Sequence, residues 1–225
     1  MTGTFVNCVT ILAGSALGLT VAKYAPERFR IIMTQALGLA TILIGFRMAI
    51  SGGDVLVTVG CLLFGGILGE WISIEKWVEI AGERLKRRAG SDSETFVKGF
   101  VTASVLYLTG PMTIVGSIQD GVAGDASTLY LKAMLDGVAS IAFASLYGVG
   151  VAFSALSVLV IQGGMTLLAS YLLFLQDPLV LNALISVGGI LIVGIGLNLL
   201  NLTKIRIGNL LPSLLLVLVW VLLTK

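Results

Sequence analysis

"GPMTIVGSIQDGVAGD", residues 110–125, interrupts a chain that is otherwise almost continuously apolar. Four glycines, one proline and two carboxylates, Asp120 and Asp125, fall within it. Whether this stretch ends a membrane span or breaks one decides the fold. Proline has no N–H and its ring clashes with the preceding turn, so a helix broken at Gly110-Pro111 frees backbone carbonyls. In hydrocarbon those groups need protein, water or an ion, so unwound backbone at such depth lines a cavity. Thr113, Ser117, Gln119 and Asp120 follow the break, all carrying oxygens of the kind that hard cations prefer. The same residues also read as a proline kink leading into an external turn, with "QDGVAGD" as its loop. Asp125 is solvated on either reading.

The surroundings establish the solvent. The chain of 225 residues is 57% hydrophobic and 12% charged, with a mean hydropathy of +1.04. A soluble domain of this size could not hide so much apolar surface, so lipid surrounds most of it. A net charge of +2 offers nothing to nucleic acid, and the absence of His removes His triads and His metal sites. Cys8 and Cys61 lie in apolar runs, so no disulfide framework or metal cluster is implied. The N-terminus lacks a basic leader region and reads as a retained first span.

A bilayer core takes about 20 apolar residues per helix. Eight segments qualify: 4–21, 31–50, 55–71, 96–118, 128–147, 149–174, 179–200 and 207–223. Seven spans with a re-entrant element at the break is the other count. Lys23, Arg28 and Arg30 lie between spans one and two. Lys76, Arg84, Lys86, Arg87, Arg88 and Lys98 lie between three and four, and Lys204 and Arg206 between seven and eight. With eight spans all of these fall on one side, which the positive-inside rule makes cytoplasmic. Both termini are then extracytoplasmic. After the third span, Trp71, Ile74, Val78, Ala81 and Leu85 form one apolar stripe of a helix. It suits the membrane surface and the chain's own bundle equally well.

Residues 36–48 and 188–199 superimpose with an offset of 151, pairing Gly38 with Gly189, Gly45 with Gly196 and Arg47 with Asn198. Spans one to three therefore echo spans six to eight. Span one starts outside and span six inside, so the triplets are inverted, as in many secondary transporters. The fold expected is all-α and polytopic, with about eight transmembrane helices. Inverted three-helix repeats, 4–71 and 149–224, flank a central broken-helix pair, 96–147, and residues 72–95 form a cytoplasmic amphipathic segment.

Ionisable groups within spans are costly and are functional candidates by default. Lys132 and Asp136 stand four apart on one helix face and can pair. They form either a self-neutralised pair that eases insertion, or a site in which Asp136 and Ser140 face the broken span. Asn7, Gln35, Gln162 and Asn198 are also polar within spans, where helix–helix hydrogen bonds are their commoner use. Gly14/Gly18 and Gly65/Gly69 read as close packing, within or between subunits. No nucleotide loop, metal-ligand spacing or nucleophile–base pattern is visible, so neither catalysis nor a cofactor is expected.

The stretches "FVKGFVTASVLYLTGPMTIVGSIQDGVAGD", "LKAMLDGVASIAFAS" and "GIGLNLLNLTKIRIGNLLPSLLL" resemble the YdfK/YqgA family of bacterial and archaeal membrane proteins, domain-of-unknown-function family 554, over essentially the whole chain. The resemblance implies a polytopic plasma-membrane protein, with a sodium channel or pump and an influence on biofilm formation as the family's suggested roles. It marks Gly110, Pro111, Gly116, Ser117, Gln119, Asp120, Gly121, Asp136, Asn198, Gly208, Asn209 and Pro212 as signature positions without giving them roles.

The function expected is a membrane transporter or channel for an ion or small polar solute. The other class is a structural or regulatory membrane protein. The expected partners are membrane lipid, the small ion or solute, and a second copy of the chain in a homo-oligomer. Its candidate binding residues are Asp120, Asp136, Gln119, Ser117, Thr113, Gly110, Pro111 and Asn198. The orientation has its own test. Lys204→Cys in a Cys8→Ala/Cys61→Ala background should resist an impermeant thiol reagent in intact cells and react after permeabilisation. Labelling from outside would exclude eight spans with this orientation.

Overall fold

A computed structural model describes residues 1–24, 26–91 and 93–224, without the side chains of 22, 23, 27 and 30. Lys225, and the side chains of Lys23 and Arg30, lie outside the described residues. The helices are α1 (Thr2–Tyr24), α2 (Glu27–Ser51), α3 (Val55–Ile72), α4 (Ile74–Arg88), α5 (Phe96–Leu108), α6 (Pro111–Val122), α7 (Ser127–Tyr147), α8 (Ser154–Leu167), α9 (Pro178–Leu199), α10 (Ile207–Leu210) and α11 (Pro212–Thr224). Among the described residues, six helical segments are long and apolar enough to cross a membrane: α1, α2, α3, α7 with the turn after it, α9, and α10 with α11. The bent α5–α6 pair makes a seventh. Large apolar side chains such as Phe5, Leu43, Phe64 and Val138 point outward, as lipid permits.

The segment expected as one span over 149–174 is not one helix. Short 3-10 turns, Gly148–Val151, Ala169–Tyr171 and Leu173–Gln176, flank a 14-residue α8. Gly148 has φ +78°, which ends α7. Gly150 then passes so close to Phe96 that a Cβ there would overlap the Phe96 carbonyl oxygen.

The chain divides into two compact units, residues 1–33 with 81–175, and residues 34–80 with 176–225. Each unit thus takes helices from both halves of the sequence.

In the first unit, α1 runs parallel to α7. Gly3 meets Leu129, Gly14 meets Gly137 and Ser140, and Gly18 meets Ile141 and Ala144. A Cβ on Gly14 or Gly18 would overlap the carbonyl oxygen of Gly137 or Ile141, so the Gly14/Gly18 pair is a packing face within the subunit. α8 lies antiparallel to α1, with Cys8 donating to the Ala155 carbonyl (3.4 Å) and Thr4 beside Thr166 (3.4 Å). The α5–α6 pair, bent by 63°, follows α7 in the opposite direction. Phe96 stands by Gly150, the Tyr107 hydroxyl bonds Ser140 (2.8 Å), and Gly116 meets Leu129.

In the second unit, α2 and α9 are antiparallel and nearly touch at glycines. A Cβ on Gly45 would stand 2.6 Å from the Gly189 carbonyl oxygen, and one on Gly189 2.6 Å from that of Gly45. Gly38 and Gly196 face each other reciprocally, at 3.4 and 3.0 Å. α3 is antiparallel to α10 and α11: Gly69 abuts the Asn209 backbone, Gly65 abuts Ser213, and Cys61 packs with Val217. The α3–α4 corner is locked by Asn209. Its Oδ1 accepts from the Glu75 N–H (2.6 Å) and its Nδ2 donates to Glu70 (2.6 Å), while the Glu75 carboxylate accepts from the Gly208 N–H (2.6 Å). Burial pushes the Glu75 carboxyl above its usual range, against the opposing pull of the Gly208 N–H.

These contacts separate glycines that pack from glycines that do not. Gly14→Leu should lower thermal stability in detergent by well over 5 °C, because the α1–α7 approach cannot be kept. Gly60 has no neighbour within 4 Å. Gly60→Ala should be neutral or stabilising by up to about 1 kcal/mol, as alanine favours the helix. Equal losses from both would contradict the α1–α7 contact.

Candidate functional site

The break places its residues by satisfying itself. Gly110 is extended (φ −74°, ψ 147°), as a residue before proline must be, and Pro111 opens α6, where a missing N–H costs nothing. The Thr109 hydroxyl donates to the Val105 carbonyl (2.8 Å) and the Thr113 hydroxyl to the Tyr107 carbonyl (2.9 Å). The Thr113 N–H donates to the Gly110 carbonyl (3.1 Å). The Tyr107 carbonyl is the one that Pro111 leaves without a helical donor, so Thr113, offered by the sequence as an ion ligand, serves the break, while the Val105 carbonyl also accepts from the Thr109 N–H (3.0 Å).

The two carboxylates have separate partners. Asp120, on α6, accepts from the Gly3 N–H (3.2 Å) and lies 2.9 Å from the Met1 amino nitrogen. An acid at the N-terminus of α1 satisfies an orphan donor and complements the helix dipole. Gln119 accepts from the Thr128 hydroxyl (2.7 Å), tying α6 to α7. Asp125 accepts from the Ser127 N–H (2.9 Å), which holds this exposed carboxyl below its usual range. Ser117 is fully buried and its hydroxyl has no hydrogen-bond partner among the described residues.

Asp136 is the centre of a larger arrangement. On α7 it pairs with Lys132, both side chains nearly closed off at 11% and 5% exposure. The Lys132 ammonium also sits 5.9 Å from the Tyr107 ring centre. From α1, the Asn7 amide donates to Asp136 (3.0 Å) and to the Gln162 side-chain oxygen of α8 (3.2 Å). Gln162 in turn donates to Thr4 (3.1 Å), and the Thr166 hydroxyl to the Gln162 carbonyl (3.0 Å). A chain of polar groups therefore crosses α7, α1 and α8, with the Asn7 side-chain oxygen left without a partner among the described residues.

The arrangement differs from the single Asp120–Asp136 site expected from sequence. Asp120 holds the start of α1, and Thr113 bonds across the Gly110-Pro111 break to Tyr107 and Gly110. Asn198 is spent on the connection after α9, where its amide donates to the Ile205 carbonyl (2.7 Å) and accepts from Thr203 (3.0 Å) and the Ile205 N–H (2.8 Å). Asn7 and Gln162 carry the cluster instead. Their sequence signal was a lone amide within an apolar run, which does not reveal its partner. Among the described residues, no three His, Cys, Asp or Glu side chains gather as metal ligands.

The Lys132–Asp136 pair makes a thermodynamic prediction. Asp136→Leu or Lys132→Met alone should cost about 3–5 kcal/mol by leaving one buried charge. The double variant should cost clearly less than the sum, read by thermal or denaturant unfolding in detergent. Additive losses would mean that the two groups do not pair.

A family model described as "Protein of unknown function (DUF554)" matches residues 2–222. The chain is 30% identical over 219 residues to the uncharacterized protein YqgA of Escherichia coli (strain K12), covering 95% of this chain and 93% of that one. It is 34% identical over 221 residues to the uncharacterized membrane protein YdfK of Bacillus subtilis (strain 168), covering 96% and 93%. No solved structure matches.

Proposed function

We propose that this chain, which belongs to the DUF554 family, is a plasma-membrane transporter or channel for an ion or small polar solute, with Asp136 at its binding centre. The observation that carries the reading is the buried Lys132–Asp136 pair, bonded through Asn7 to Gln162 and Thr4 beside a broken span. Two charges withdrawn from water add little stability compared with well-packed apolar side chains. Charges kept inside a membrane therefore favour a functional explanation. In this reading Lys132 is the resident counter-cation of Asp136. An arriving cation displaces it and is met by the Asp136 carboxylate and by amide and hydroxyl oxygens, a donor set suited to a hard ion such as sodium.

Helix directions support eight crossings. If the α5–α6 pair and the stretch 148–176 each cross once, alternation makes α1 and α7 parallel and opposes α1 to α8, α2 to α9 and α3 to α11, which matches their contacts. The reciprocal Gly45–Gly189 and Gly38–Gly196 approaches also suit inverted repeats, because an in-plane two-fold axis exchanges one pair for the other. The basic connections then face the cytoplasm and both termini the outside.

A second reading, a structural or regulatory membrane protein, draws on the Thr113 bonds across the break and on carboxylates that already have partners. The test separates the two. Reconstituted protein should move one of a panel of cations, anions or amino acids into proteoliposomes. Lys132→Gln/Asp136→Asn, which keeps hydrogen-bonding groups and removes both charges, should abolish that flux while the melting temperature shifts by only a few degrees. Undiminished flux in the double variant would move the site elsewhere. Absence of flux across the panel in the wild type would favour the second reading.

A further inference from the structure

The second unit contains a pocket of about 210 Å³ that the polar cluster does not use. Its walls are apolar, formed by Val57 of α3, Ala183 of α9, and Val217 and Val221 of α11. It exceeds the roughly 150 Å³ of an apolar cavity that accepts a benzene-sized molecule. Its rim differs from its walls. Asp54 stands there at the N-terminus of α3, and Trp220, half exposed, stands near the C-terminus of α11. These are the ends of membrane-crossing helices, so the rim lies at the level where lipid headgroups begin.

The charge at the rim selects an occupant. One Asp54 oxygen accepts from the Leu56 N–H (2.7 Å), and a carboxylate can accept several further bonds. The N-terminus of α9 reaches the same rim at Leu179 under its own cap, Asp177, whose side chain accepts from the Leu179 N–H (2.9 Å), so the positive ends of α3 and α9 are each overlaid by a full negative charge. A negative rim over an apolar hollow fits a molecule with an ammonium head and an alkyl tail, and repels an anionic head.

We propose that this pocket binds an aminophospholipid, its ammonium on Asp54 and part of an acyl chain against Val57, Ala183 and Val217. This is a lipid site distinct from the Asp136 cluster and independent of whether that cluster transports.

Trp220 provides the readout. With Trp71→Phe and Trp77→Phe it becomes the sole tryptophan of the chain. The protein is placed in vesicles mixing phosphatidylethanolamine and phosphatidylglycerol, with brominated acyl chains on one or the other. Brominated phosphatidylethanolamine should quench Trp220 well beyond its mole fraction, with an apparent preference of about three- to tenfold. Asp54→Asn should erase that preference without unfolding the protein, because asparagine caps a helix as well as aspartate does. Val221→Phe, which fills the pocket, should return quenching to the bulk composition for both lipids. Quenching that follows mole fraction in the starting protein, or a preference that survives Asp54→Asn, would overturn the proposal.

Discussion

A backbone carbonyl freed inside hydrocarbon has no water to turn to, and the first unit depends on how this is resolved at Gly110-Pro111. On either side of the break, α5 and α6 follow α7 along its length, meeting it at Tyr147, Ser140 and Leu129 in turn. Thr113 makes the bend tolerable by donating its hydroxyl to the Tyr107 carbonyl and its N–H to that of Gly110. Beyond the break, α6 presents Gln119 to Thr128 and Asp120 to the start of α1.

With that bend in place, small residues decide which helices approach closely. In lipid there is no apolar surface to hide, so contact comes from shape and from backbones that can touch. Gly14 and Gly18 bring α1 against α7, and that closeness lets Asn7 reach Asp136 and Gln162. In the second unit, Gly38, Gly45, Gly189 and Gly196 perform the same task for an antiparallel pair, and Gly65 and Gly69 for α3 against α11. One sequence device yields a parallel contact in one unit and antiparallel contacts in the other. The direction comes from chain connectivity, while glycine supplies only the approach.

The polar residues then sort by their partners. Asn209 and Glu75 close a corner by exchanging backbone donors and acceptors, and Asn198 does so for the loop after α9. Lys132 and Asp136 differ because both are ionisable groups drawn into the interior, joined through Asn7 to Gln162 on two other helices. Loop-closing amides account for themselves through the backbone they satisfy. A buried ion pair does not, and this asymmetry turns attention from Asp120 to Asp136.

Much of this was legible in the residues. Hydropathy fixed the all-α membrane class and the positions of α1, α2, α3, α7 and α9, because a bilayer demands a run of apolar residues whatever the tertiary arrangement. Proline chemistry located the break, and spacing alone paired Lys132 with Asp136, since residues four apart share a helix face. Tertiary structure alone decided what joins across helices. Asp120 and Gly3 are 117 positions apart, Asn7 and Asp136 are 129, and nothing in a lone acid or amide names its partner. The division of 148–176 into short turns also escaped the sequence; at its start Gly150 passes against Phe96, a contact between distant segments that a local pattern does not announce. Local physics sets which residues lie in the membrane and which of them bend the helix. Long-range packing sets which polar groups meet, because a hydrogen bond in lipid belongs to whichever helix comes near enough to complete it.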